Sequence, residues 1–149
     1  MEDQDRDLIG HIKGRLQHKQ GRLLRDRKVL SDRDVLGKGV NSFWNEFRKA
    51  MGEICERLSR ELGISLSCKW NGEELNVTRP NTRYVLNAKL GNSPPYEIVI
   101  SGIGGLRYAA TVRIVLDDSQ LDWLAMVDEN PAYARQVAGK AIEELVLAD

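Results

Sequence analysis

Two cysteines and two histidines in 149 residues leave little material for metal or nucleophilic chemistry. Cys55 and Cys68 cannot build a disulfide framework, and they lack the paired spacing of a zinc site. One falls on a predicted helix and the other on a predicted strand. Both therefore read as small buried hydrophobes in a reducing compartment. His11 and His18 are seven residues apart, so on one helix they sit two turns apart, too far to share an ion. A cysteine–histidine nucleophile would need one of those inward thiols to meet a histidine from the front of the chain.

Other signatures are missing as well. No apolar run approaches the roughly 18 residues of a membrane-spanning helix. The opening MEDQDRDLIG is charged and has no apolar stretch of the secretory kind, so the expected location is the cytoplasm. There is no G-x-S-x-G elbow. GIGG at Gly102–Gly105 leads into a predicted strand, whereas a phosphate cradle needs a helix N-terminus. The GKG at Gly37–Gly39 lacks P-loop spacing. The adjacent carboxylates Glu73-Glu74, Asp117-Asp118, Asp128-Glu129 and Glu143-Glu144 sit at turns or on an exposed helix side, where they read as solvated charge. No catalytic residue, metal or cofactor is expected, and the balance is against an enzyme.

Charge of one sign is also lacking: 22 basic residues meet 22 acidic ones. The distribution is uneven. Residues 1–28 carry a net +3, residues 29–116 another +3, and residues 117–149 a net −6. Neutrality of the whole chain gives no long-range pull on nucleic acid.

What is present is pattern. Residues 6–28 place Leu8, Ile12, Leu16 and Leu23 at near-helical spacing, with a basic polar side of Lys13, Arg15, Lys19, Arg22, Arg25, Arg27 and Lys28. Gly10, Gly14 and Gly21 each weaken a helix by about 1 kcal/mol relative to alanine, so the segment orders only by docking. Ser31 with Asp34 suits a capping box for one short turn, after which Gly37 and Gly39 are expected to break the chain. The strongest helix follows from Asn41 or Ser42. Its stripe of Phe43, Phe47, Met51, Ile54, Leu58 and Leu62, widened by Trp44 and Cys55, ends at Gly63.

ISLSCKWNGEELNVTRP then alternates on both sides of Asn71-Gly72, the favoured pair for a two-residue type I′ hairpin. That turn would set Cys68 opposite Leu75, Leu66 opposite Val77, and Lys69 opposite Glu74. Strands are expected at Arg83–Leu90, Tyr96–Ile103 and Arg107–Asp117, with a sixth over Leu121–Val127, where Ser119 with Asp122 offers a helix cap as the alternative. Asn130-Pro131 reads as a cap and first position of a last helix burying Ala134, Val137, Ala138, Ala141, Ile142 and Leu145.

The expected fold is α+β, a two-layer domain with an antiparallel meander of five or six strands and helices packed on one face. Residues 1–40 form a basic amphipathic N-terminal segment and residues 41–149 a single domain. One sheet face fills the core. The other collects Lys69, Arg83, Lys89, Arg107 and Arg113 against Glu74 and Glu97, with few aromatics for base stacking.

The leading expectation is a non-enzymatic interaction module, adaptor-like or chaperone-like. It would bind a protein partner, a second copy included, through Lys13, Arg15, Lys19, Arg22 and Arg25 and through Arg83, Lys89, Arg107 and Arg113. One alternative is nucleic-acid binding by the basic N-terminal helix. Another is a small-molecule pocket between sheet and helices lined by Trp44, Trp70, Tyr84 and Trp123.

Overall fold

The structure, a computed structural model, describes residues 8–16 and 31–149. Residues 8–16 form a helix, α1, every residue of which is exposed. The remainder is helix α2 (Asp32–Leu62), strands β1 (Ser67–Trp70), β2 (Glu74–Thr78), β3 (Val85–Gly91), β4 (Glu97–Ile103), β5 (Ala109–Leu116), β6 (Trp123–Val127) and β7 (Asn130–Pro131), then helix α3 (Ala134–Leu147). The strands form one sheet in chain order, each antiparallel to its neighbour. This is the α+β meander that the alternation predicts, with a seventh strand of two residues at its end. No described helix is long and apolar enough to cross a membrane.

The beginning of α2 departs from expectation. Ser31 is its N-cap: the Ser31 hydroxyl accepts from the Asp34 N–H, and the Asp34 carboxylate accepts from the Ser31 N–H in return. The box opens a helix of 31 residues, not a single turn. Gly37 and Gly39 lie inside that helix, so the boundary drawn after residue 40 falls within one continuous element. Gly39 has a packing reason to be there, because a β-carbon would come within 2.4 Å of Trp123 Cγ. At the other end Gly63 adopts the left-handed conformation (φ 67°) and its N–H donates to the Ser59 carbonyl, as its position predicts.

The β1–β2 hairpin forms, but its register differs from the expected one by two residues. Trp70 faces Leu75, Cys68 faces Val77, and Lys69 faces Asn76 where Glu74 was expected. Asn71 and Gly72 are not among the described residues with positive φ. Instead the Asn71 side-chain oxygen accepts from the N–H groups of Glu73 and Glu74, at 3.0 and 2.9 Å, and this moves the turn one residue along. An even shift leaves every side chain on its intended face.

The two-residue turn with positive φ at both centres lies elsewhere, at Asp128 (φ 49°) and Glu129 (φ 66°), between β6 and β7. Asn130-Pro131 is therefore an edge strand and not the cap of α3. Proline is tolerated there because an edge position loses no ladder bond. The α3 helix begins three residues later, behind Tyr133, with no side-chain cap.

The core forms where the stripes place it. Phe43, Trp44, Phe47, Met51 and Cys55 of α2 meet Leu75, Val77, Leu86, Ala88, Ile98, Ile100, Val112, Ile114 and Ala125 from the sheet. The six expected α3 residues complete it. Each large apolar side chain withdrawn from water contributes about 1.5–3 kcal/mol. Arg135 and Glu53 bridge the two helices at 2.9 Å, a surface pair worth little by itself. The edges of the layer are wetter than expected: Leu62 is exposed, and Trp70 is 58 % exposed. β1 is an edge strand, and Trp70 lies where the core cluster ends.

Candidate interaction surface

Register assembles the outer face of the sheet into rows. Lys69, Asn76, Asn87, Ser101 and Ala109 form one. Glu74, Lys89, Val99 and Thr111 form the next. Glu97, Arg113, Met126 and Pro131 follow, then Val115 with Leu124. Asn87 is buried on this face and donates to Glu74 Oε1 at 2.6 Å and Asn76 Oδ1 at 2.9 Å. Three side chains from two neighbouring strands thereby satisfy one another, the buried Asn87 amide between two partly buried acceptors.

The rows also show what opposes each cation. Lys89 stands between Glu74 and Val99, and Arg113 between Glu97 and Met126. Each of these two positive charges has a carboxylate directly across the strand, which holds down the net field of the face.

The nine basic residues singled out in the sequence are dispersed. Lys13 and Arg15 lie on exposed α1. Lys19, Arg22 and Arg25 lie outside the described residues. Lys89 and Arg113 share the outer face. Arg83 and Arg107 lie instead in the β2–β3 and β4–β5 connections, where with Tyr84, Gly105, Glu144 and Asp149 they line an open groove of about 420 Å³ beside the end of α3. There Arg79 donates to the Leu145 carbonyl at 3.4 Å and also to that of Ala148, so an arginine caps the C-terminus of α3. The Tyr84 hydroxyl donates to the Asp149 backbone oxygen.

The four aromatics expected to line one pocket occupy separate places. Trp44 is buried against Phe47 and its indole N–H donates to the Gly72 carbonyl at 3.1 Å. The Trp70 ring carries the Arg48 guanidinium at 4.0 Å from its centre. Trp123 packs on Gly39, and Tyr84 lies at the end of α3. A groove of about 290 Å³ does open between β5, β7 and α3, lined by Tyr108, Val127, Pro131, Gln136 and Lys140, none of them part of that quartet. Burial and the nearby Glu144 carboxylate push the Tyr108 hydroxyl above its ordinary value.

Alternation places Val85, Val99 and Val115 on the outer face, whereas Ile103, Leu124 and Met126 were not singled out in the sequence. Val99, Ile103, Val115 and Leu124 are exposed, and a groove of about 620 Å³ runs past Thr111, Arg113, Val115, Met126, Asp128 and Glu129. The signal lay in β6: if Trp123, Ala125 and Val127 face inward, Leu124 and Met126 must face out. On α1, Leu8, Ile9, Ile12 and Leu16 are exposed as well. No group of three or more histidine, cysteine or acidic side chains among the described residues is placed to hold a metal ion. Compared with protein-family models, curated proteins and solved structures, the chain matches none.

Proposed function

We propose that this chain is a non-enzymatic protein-interaction module of the cytoplasm, and that its contact surface is the outer sheet face across β4–β6 together with α1. The supporting observation is that both elements carry apolar side chains without a described partner. The inner sheet face already has its cover in α2 and α3. Val99, Val115 and Leu124 on the outer face have none, and neither has the Leu8–Ile12–Leu16 stripe.

A second copy of the chain is the partner that both features favour. The α1 stripe is flanked by Lys13 and Arg15. The outer groove is bordered by Asp128 and Glu129, with Arg113 the one opposing charge among its lining residues. Apolar meets apolar and basic meets acidic, so α1 of one copy suits the sheet of another in a two-fold, reciprocal arrangement. Of the basic N-terminal helix over residues 6–28, Lys13 and Arg15 are the cations among the described residues on which the nucleic-acid alternative draws. It gains nothing from Lys89 and Arg113, which already face carboxylates.

Removal of residues 1–30 tests the reading, since it leaves the Ser31 cap and the sheet untouched. Sedimentation of the full chain is expected to give a dimer, and that of the truncated chain a folded monomer. A truncated chain that still dimerises removes α1 from the interface.

A further inference from the structure

The tip of the β1–β2 hairpin is built around one side chain. The Asn71 N–H donates to the Glu74 carbonyl at 2.9 Å, while the Asn71 side-chain oxygen accepts from the N–H groups of Glu73 and Glu74 at 3.0 and 2.9 Å. The indole N–H of Trp44 holds the Gly72 carbonyl at 3.1 Å. Asn71 and Gly72 are exposed all the same. A β-carbon on Gly72 would meet nothing within 4 Å, and no described group accepts from the Gly72 N–H.

Two donors on one amide oxygen polarise its carbonyl carbon. They also lie where negative charge gathers when a nucleophile adds to that carbon, at the distances of an oxyanion hole. Chain connectivity supplies the nucleophile, because the Gly72 nitrogen and Asn71 Cγ close a five-membered ring. Glycine has no side chain to shield that approach. We propose that Asn71 is a self-modifying site: the Gly72 nitrogen cyclises onto the Asn71 side-chain amide, the Glu73 and Glu74 N–H groups stabilise the intermediate, and water converts the residue to aspartate or isoaspartate.

In the first step water takes the proton of the Gly72 N–H, and the nitrogen attacks Cγ. Oδ1 carries the resulting charge between its two donors. Collapse breaks the Cγ–Nδ2 bond, and Nδ2 takes up a proton and leaves as ammonia, which leaves a succinimide. In the second step water adds to one of the two ring carbonyls. Opening at Cγ restores the chain with an aspartate. Opening at the backbone carbonyl gives an isoaspartate, whose peptide link runs through Cγ. One water is consumed and one ammonia released, with no change of oxidation state. The aspartate carboxylate can keep both N–H bonds, now charge-assisted. The isoaspartate adds one backbone atom between the N–H held by Glu74 and the carbonyl held by Trp44, so it pulls against both anchors. The proposal does not depend on what the outer sheet face binds.

The test keeps the full chain in neutral buffer and maps its peptides by mass over time, beside a free peptide of residues 69–75, too short to hold the hairpin. The expected result is a gain of one mass unit at Asn71, as aspartate and isoaspartate together, about tenfold or more faster in the folded chain than in the peptide. Asn92-Ser93, also exposed, is the internal reference and is expected to convert later. Gly72→Ala is expected to slow the conversion severalfold. That variant keeps the fold, because Gly72 has open space around it and is not among the glycines with positive φ. A folded chain that converts no faster than the peptide would overturn the proposal, since the two bonds would then not assist attack. Gly72→Ala converting at the native rate, or Asn92 reacting ahead of Asn71, would overturn it too.

Discussion

Gly39 of α2 lies against the indole of Trp123, so close that a methyl group on its α-carbon would approach Cγ to 2.4 Å. A glycine in the middle of a helix normally weakens it by about 1 kcal/mol relative to alanine. Here the contact reverses the sign. Gly39→Ala is expected to destabilise the protein by about 1–3 kcal/mol, because ring and helix must part. Gly52, on the same helix with nothing within 4 Å of a β-carbon, is the control. Gly52→Ala is expected to stabilise by up to about 1 kcal/mol. Urea unfolding of the two variants measures both, and equal effects would show that Trp123 does not rest on α2.

Asn87 gives a second stability prediction. Its amide supplies the hydrogens that Glu74 and Asn76 accept on the outer face. Asn87→Ala leaves two partly buried acceptors without that donor, a loss of about 1–3 kcal/mol in denaturant unfolding. An unchanged midpoint would mean that water replaces the amide at no cost.

Two carboxyls set an acid limit. The Ser31 side chain and backbone N–H hold the Asp34 carboxyl below its usual range. Burial pushes the Asp117 carboxyl up, but bonds from the Ser119 hydroxyl and three backbone N–H groups outweigh it, so Asp117 is also depressed. A depressed carboxyl contributes stability that is present in full above its unfolded pKa of about 4, and that is lost as pH falls through the lower folded value. Melting temperature is therefore expected to fall below about pH 4, and Ser31→Ala is expected to reduce the part of that fall due to Asp34. A variant with the same acid profile as the native chain would refute the assignment to the cap.

The sequence made the layer legible because its periods are clean. Phe43, Phe47 and Met51 could only line a helix, and Ile98–Ile100 or Val112–Ile114 only one face of a strand. Positions where two local rules competed were less legible. Gly37 and Gly39 read as breakers because the residue that needs the space at Gly39, Trp123, is remote in sequence. Asn71-Gly72 read as a type I′ turn, but the Asn71 side chain found better partners in the N–H groups of Glu73 and Glu74. Asp128-Glu129 took that turn type without glycine, which no composition rule would select.

The outer face shows the same division. Lys89 and Arg113 were identifiable by alternation, but the carboxylates opposite them follow from register. Arg83 and Arg107 were assigned to that face by counting through turns, and the turns carry them to the end of the sheet.

Light scattering on Leu124→Asp, compared with the native chain at roughly 1 to 100 μM, tests the interaction surface most directly. The native chain is expected to be a dimer and the variant a folded monomer with unchanged circular dichroism, because the charge would enter the apolar contact between α1 and the sheet. A monomeric native chain across that range, or a variant that dimerises as well as the native protein, would contradict it.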